Sequence, residues 1–74
     1  MKQSELTKKI KKIHKLFDQL ETEFNSLPSG MQDIILNQHS ENYSINHCTR
    51  WGLTASEELL RDSKKLFKLY NKNY

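Results

Sequence analysis

The sequence predicts an all-α fold: a compact three-helix bundle that forms a single domain over residues 1–74. Apolar residues recur at steps of three and four in the first third of the chain, and two capping patterns led by serine or threonine mark further helix starts. Seventy-four residues can enclose one hydrophobic core and no more. The predicted helices span about residues 4–27, 30–51 and 54–72, with a split of the second near residues 40–44 as an open alternative.

The first predicted helix carries the clearest pattern in the chain. Its apolar residues follow one another at steps of 4, 3, 4, 3, 4 and 3, and Leu16 widens the stripe that they form. Ser4 is the predicted N-cap, and Pro28 ends the helix because the residue before a proline is pushed out of helical geometry. The stripe consists of Leu6, Ile10, Ile13, Phe17, Leu20, Phe24 and Leu27.

The second predicted helix begins at a capping box, in which Ser29 is the cap and Gln32 follows three residues later. Polar residues 37–44 interrupt its apolar face, and the serines and asparagines among them compete for backbone hydrogen bonds, which favours a break there. The apolar face consists of Met31, Ile34 and Ile35 before the interruption and Ile45, Cys48 and Trp51 after it.

The third predicted helix follows a glycine. Gly52 is expected to adopt the left-handed conformation that terminates the preceding helix, and Thr54 and Glu57 form a second capping box. Acidic residues then lie early in the helix and lysines late, which matches the helix dipole.

The distribution of charge bears on the topology. All ten lysines lie in the first fifteen or the last eleven residues. If the first and last helices run parallel, the lysines of each lie beside the acids of the other; if they run antiparallel, all ten gather at one pole, which is unfavourable without an anionic partner. Exposed pairs contribute only about 0–1 kcal/mol each, so charge favours the parallel arrangement weakly.

The sequence has few features that favour a catalytic or metal-binding site. His47 and Cys48 are neighbours, and consecutive helical residues point about 100° apart, so they cannot form a nucleophile–base pair. The chain has one cysteine and neither CxxC nor HxxxH spacing, which argues against zinc. The two glycines, Gly30 and Gly52, have helix-boundary roles rather than phosphate-binding ones. We therefore predict no enzyme activity, no cofactor and no metal.

The composition also bears on location. No apolar run is long enough to cross a bilayer or to serve as a secretory signal. The lone cysteine cannot form an internal disulfide, which fits a reducing compartment. We predict a cytoplasmic protein without a membrane partner, because a single small core consumes the apolar side that a membrane surface would need.

These observations favour a non-enzymatic interaction module that binds a larger protein, in the manner of a small inhibitor, regulator or assembly factor. The predicted contact surface mixes adaptable hydrogen-bonding groups with aromatic anchors. The competing interpretation is that Trp51 belongs to the core and the rest is a solvated loop. The predicted surface consists of Asn37, His39, Tyr43, Asn46, Arg50 and Trp51.

Two other partners remain open. A net charge of +3 and a pI near 9.1 are compatible with DNA or RNA, which five lysines of the first helix could contact through phosphates. The first helix could also pair antiparallel with its copy in a homodimer through the Leu6–Leu27 stripe, basic half against acidic half. The five lysines are Lys8, Lys9, Lys11, Lys12 and Lys15.

Overall fold

The computed structural model describes residues 1–38 and 45–74, and these residues confirm the all-α prediction. They form four helices and no strand, where three helices were predicted. The predicted break near residues 40–44 lies outside the described residues. The helices are α1 (Gln3–Asn25), α2 (Ser29–Gln38), α3 (Ile45–Arg61) and α4 (Ser63–Asn73).

Helix α1 is close to its predicted bounds, but its caps differ from the prediction. It begins at Gln3, and the carbonyl of Lys2 accepts hydrogen bonds from the amides of Glu5 and Leu6 at 3.0 and 3.2 Å. Ser4, the predicted N-cap, therefore lies inside the helix. At the other end the hydroxyl of Ser26 donates to the carbonyl of Glu23 at 2.6 Å, so the helix closes before Pro28.

The connection between α1 and α2 depends on Gln32. The predicted cap Ser29 is the first residue of α2, and the carbonyl of Pro28 accepts from the amides of Met31 and Gln32 at 2.9 and 3.1 Å. The side-chain amide of Gln32 donates to the carbonyls of Asn25 and Leu27 at 3.2 and 2.8 Å. Gln32 thus satisfies one carbonyl at the end of α1 and one in the connection that follows it.

Gly52 lies inside α3, so the predicted helix end at this glycine and the predicted cap at Thr54 were wrong. No glycine among the described residues has a positive φ. A Cβ atom on Gly52 would overlap the ring of Phe17, which lies on α1. The glycine is needed for the close approach of two helices rather than for a turn.

Helices α1 and α3 pack antiparallel. His14 contacts Ser56, Phe17 lies against Gly52, and residues of α1 near its end share a surface depression with Ile45. Residue numbers therefore fall along α3 as they rise along α1. Helix α4 follows α3 after the single residue Asp62 and also packs against α1. The first part of the predicted last helix, residues 54–61, belongs to α3 and runs antiparallel to α1, so the parallel arrangement that charge weakly favoured was wrong there.

The interior is narrow. Among the described residues the buried apolar side chains are Ile10 and Phe24. On α3 the buried residues Thr49 and Ser56 flank Gly52, and we call these three the small-residue seam. The radius of gyration is 16.0 Å, against about 11 Å for a compact domain of this length. The chain is an elongated helical hairpin of 49 × 21 × 16 Å rather than the predicted compact bundle.

Candidate interaction surfaces

Trp51 projects from the outer side of α3. Thr49 faces α1, and a residue two positions later points about 160° away from it. Trp51 is accordingly 64% exposed, so the interpretation of Trp51 as a core residue was wrong. Its ring packs on that of His47, one helical turn earlier, with centroids 4.6 Å apart and planes tilted by 49°. We call His47, Arg50 and Trp51 the Trp51 surface.

The other residues of the predicted contact surface are distributed over two helices. Arg50 is exposed beside Trp51, and Asn46 is half-buried one turn earlier on α3. Asn37 is exposed near the end of α2. His39 and Tyr43 lie outside the described residues. The structure thus places Asn46, Arg50 and Trp51 together on one helix, and Asn37 on another.

The predicted apolar face of the second helix does not form a core. Its larger side chains are mostly exposed, and Ile35 is half-buried. On α3 the reason is that the small-residue seam, and not this face, is turned towards α1. A pattern of small residues at steps of three and four was the signal for this seam, and a search for large apolar residues misses it. The exposed members are Met31, Ile34, Ile45, Cys48 and Trp51.

A histidine–serine contact links the two long helices. The Nδ1 atom of His14 lies 2.7 Å from the Oγ atom of Ser56, and that hydroxyl donates to the carbonyl of Gly52 at 2.7 Å. Since a hydroxyl has one hydrogen, the arrangement is satisfied when Nδ1–H of His14 donates to Ser56. Ser56 is 1% exposed, so this pair holds α1 against α3 and offers no accessible nucleophile.

Large apolar side chains line one side of the hairpin. On α1, Ile13 lies four residues before Phe17 and Leu20 three residues after it; on α3, Leu59 lies three residues after Ser56. Each of these side chains therefore lies about 40–60° around its helix from the α1–α3 contact, and the rotation has the same sense on both helices. Because the two helices are antiparallel, side chains rotated in the same sense lie on the same side of the hairpin. We call Ile13, Leu16, Leu20, Cys48 and Leu59, all exposed, the apolar face.

The antiparallel packing also gathers the lysines. Because His14 lies beside Ser56, the residues before His14 share one end of the hairpin with the residues after Ser56. That end, extended by one residue past His14 to include Lys15, is called the lysine pole; it contains all five lysines predicted to contact nucleic acid, and each is exposed. Four acids, Glu5, Glu57, Glu58 and Asp62, lie there too. The ten lysines are Lys2, Lys8, Lys9, Lys11, Lys12, Lys15, Lys64, Lys65, Lys68 and Lys72.

One ion pair lies at the junction of α3 and α4. The guanidinium of Arg61 donates two hydrogen bonds to the carboxylate of Asp62, each 3.1 Å long. This bonding lowers the pKa of Asp62 from its ordinary value of 3.8 and raises that of Arg61. Asp62 is therefore ionised at neutral pH and contributes negative charge to the lysine pole.

Features of two other protein classes are not found in the described part of the chain. There, no three side chains of histidine, cysteine, aspartate or glutamate are grouped so that they could hold a metal ion. Within residues 1–38 and 45–74, no helix is both long and apolar enough to cross a membrane. Comparison of the chain with protein-family models, curated proteins and solved structures finds no match.

Proposed function

We propose that this chain is a non-enzymatic interaction module that binds a larger protein through the Trp51 surface. The observation that carries the proposal is the exposure of Trp51, the only tryptophan of the chain, on the outer side of α3. Burying a tryptophan removes a large apolar area from water, and tryptophan and arginine are enriched among the residues that contribute most to protein interfaces.

The surroundings of Trp51 suit an anchor. Packing on His47 restricts the indole before a partner arrives, which lowers the entropy lost on binding. Arg50 is exposed beside it and can pair with a carboxylate of the partner. Binding at this surface would let the module block, recruit or stabilise its partner by occupancy.

The matched variants Trp51→Ala and Tyr70→Ala test this proposal. Tyr70 is also an exposed aromatic residue but lies on α4. Immobilised wild-type chain should retain one or more proteins from an extract of the source cells, Trp51→Ala should retain at least about tenfold less, and Tyr70→Ala should retain the wild-type amount. Equal retention by all three chains contradicts a role for Trp51 in binding.

The lysine pole supports a second candidate function, the binding of DNA or RNA. Two segments distant in sequence contribute its ten lysines, and no described lysine lies in an ion pair. Such a concentration of exposed positive charge attracts phosphates, and the repulsion among the lysines destabilises the folded chain unless an anion is bound. The lysines of α1 and α4 could track the backbone of a nucleic acid without reading its bases.

Salt dependence, measured with matched variants, tests whether the lysine pole is the site of phosphate contact. If the lysine pole is a nucleic-acid site, the affinity for a labelled duplex should fall linearly with the logarithm of salt concentration. Replacing Lys8 and Lys12 by glutamine should then reduce the slope by about 1.8, whereas Arg50→Gln, at the other end, should leave it unchanged. Binding that is lost at physiological salt, or that Arg50→Gln weakens equally, contradicts this candidate.

A further inference from the structure

The chain exposes more surface than an independent domain of its size. Its solvent-accessible area is 6145 Å², whereas folded monomers of 8.8 kDa expose about 4,800 Å². With Ile10 and Phe24 as the buried apolar residues of the described part, the interior is also small for a stable fold. Both features are typical of a chain whose fold is completed by association.

The apolar face is the surface that association would cover. Leu16 is 52% exposed and Leu20 47% exposed, although both lie on the helix with the most regular apolar pattern. Leu59 and Cys48 extend the same side of the hairpin onto α3. The two longest dimensions of the chain, 49 and 21 Å, enclose about 1,000 Å², so one side of the chain is large enough for the roughly 800 Å² that a specific interface takes from each partner.

The charges beside the apolar face are complementary to those of a second, antiparallel copy of α1. Lys9, Leu16 and Glu23 follow one another at steps of seven, so they form one line along α1. Lys9 and Glu23 lie about 10 Å from Leu16 in opposite directions along that line. When two such helices meet antiparallel at Leu16, each Lys9 lies beside the Glu23 of the other chain.

We propose that a second copy of this chain covers the apolar face, with the two α1 helices antiparallel and in register at Leu16. The resulting dimer has four long helices, α1 and α3 of each chain, around a shared core, and its twofold axis passes near Leu16. It also places the lysine pole of each chain beside the acidic end of α1 in the other, which contains Asp18, Glu21 and Glu23. Trp51 precedes Gly52 as Leu16 precedes Phe17, so the Trp51 surface adjoins the apolar face on the α3 side of the hairpin.

Sedimentation equilibrium of the full chain measures the association directly. The wild-type chain is expected to have a mass of about 17.6 kDa, twice the 8.8 kDa of one chain, at a concentration of about 100 μM. Its midpoint of thermal unfolding should rise with concentration, because association stabilises the folded state. A wild-type mass of 8.8 kDa at that concentration overturns the proposal, as does a mass that grows beyond two chains.

Two substitutions about 120° apart around α1 test the location of the interface. Leu16→Glu places two like charges together at the twofold axis and should raise the dissociation constant by about 100-fold or more. Thr22→Glu adds the same charge to the side of α1 that faces away from the apolar face, and should change it by less than about threefold. An equal effect of the two substitutions, or none from Leu16→Glu, overturns the assignment of this face.

The register is tested by exchanging charges, which leaves the apolar residues intact. Lys9→Glu and Glu23→Lys should each raise the dissociation constant by about tenfold, and the double variant should recover the wild-type value. A double variant no stronger than the single ones overturns the antiparallel register. Lys9→Glu weakens the dimer but lies on α1 and leaves the Trp51 surface intact, so its retention of proteins from a cell extract should equal that of the wild-type chain, and failure of the dimer and failure of partner binding give separate results.

Discussion

Two rows of the same apolar stripe on α1 have different environments. Ile10 is 3% exposed and Phe24 is buried, whereas Ile13 is 42% exposed and Leu16 and Leu20 are exposed with it. All five belong to one amphipathic pattern, and nothing in their chemistry separates them. The difference arises from α3, which contacts the first row and leaves the second uncovered.

The width of the contact explains why α3 covers so little. Its small-residue seam lets the two backbones approach closely, and the ring of Phe17 fills the space that a side chain on Gly52 would need. A narrow surface of small residues can cover one row of a stripe but not two. Close packing in one row and exposure of the next therefore have the same cause, and the second row remains available to another chain.

Replacing the same residue type in each row tests this contrast most strongly. Ile10→Ala should lower the free energy of unfolding by about 2–5 kcal/mol, because it removes buried methyl groups and leaves a cavity. Ile13→Ala should lower it by about 1 kcal/mol or less when measured at dilutions where the chain is monomeric. Urea unfolding followed by circular dichroism measures both, and equal losses would show that the two rows share one environment.

A substitution in the seam should come next in size. Gly52→Ala removes a poor helix former, which alone would stabilise α3 by about 1 kcal/mol, but its methyl group meets the ring of Phe17. We expect a net loss of about 1–2 kcal/mol from overpacking. In a Phe17→Ala background the same change should become stabilising. A gain in the wild-type background would show that the glycine is not needed for close approach.

The contact between His14 and Ser56 should have a smaller effect. Ser56→Ala removes a buried hydroxyl that bonds to His14 and should lower the free energy of unfolding by about 0.5–1.5 kcal/mol. A double-mutant cycle with His14→Ala should give a coupling energy above about 0.5 kcal/mol. Additive losses would mean that the two side chains stabilise the hairpin independently.

The smallest effect is expected at the junction of α3 and α4. Bonding to Arg61 lowers the pKa of Asp62 in the folded chain, so the pair stabilises the fold at neutral pH and this contribution is lost as pH falls through the lowered pKa. Urea midpoints between about pH 6 and pH 2 should therefore fall slightly more for the wild type than for Asp62→Asn. The effect is small because solvent and salt screen the exposed pair. Identical pH profiles would exclude a contribution from the pair.

Local pattern was a good guide to α1 and a poor one to α3. The regular stripe on α1 predicted its existence, and its observed end at Asn25 lies two residues before the predicted one. In α3 the glycine and the capping pattern at Thr54 predicted a boundary, yet the helix runs through both. Glycine has two uses, termination and close approach, and a local pattern does not distinguish them because the second depends on Phe17, 35 residues earlier.

The candidate surfaces divide in the same way. The lysine-rich segments and the exposed tryptophan are composed of residues whose chemistry is evident in the chain, but their positions follow from the packing of α1 on α3. Helicity, the stripe and the distribution of charge along the chain are local properties, since they depend on neighbours within one or two turns. The direction of each helix, the row of the stripe that is buried and the gathering of ten lysines at one end depend on contacts between distant residues. The packing energy at Gly52 and Ser56 arises only when α1 and α3 are in contact, so the sequence of either segment alone does not determine it.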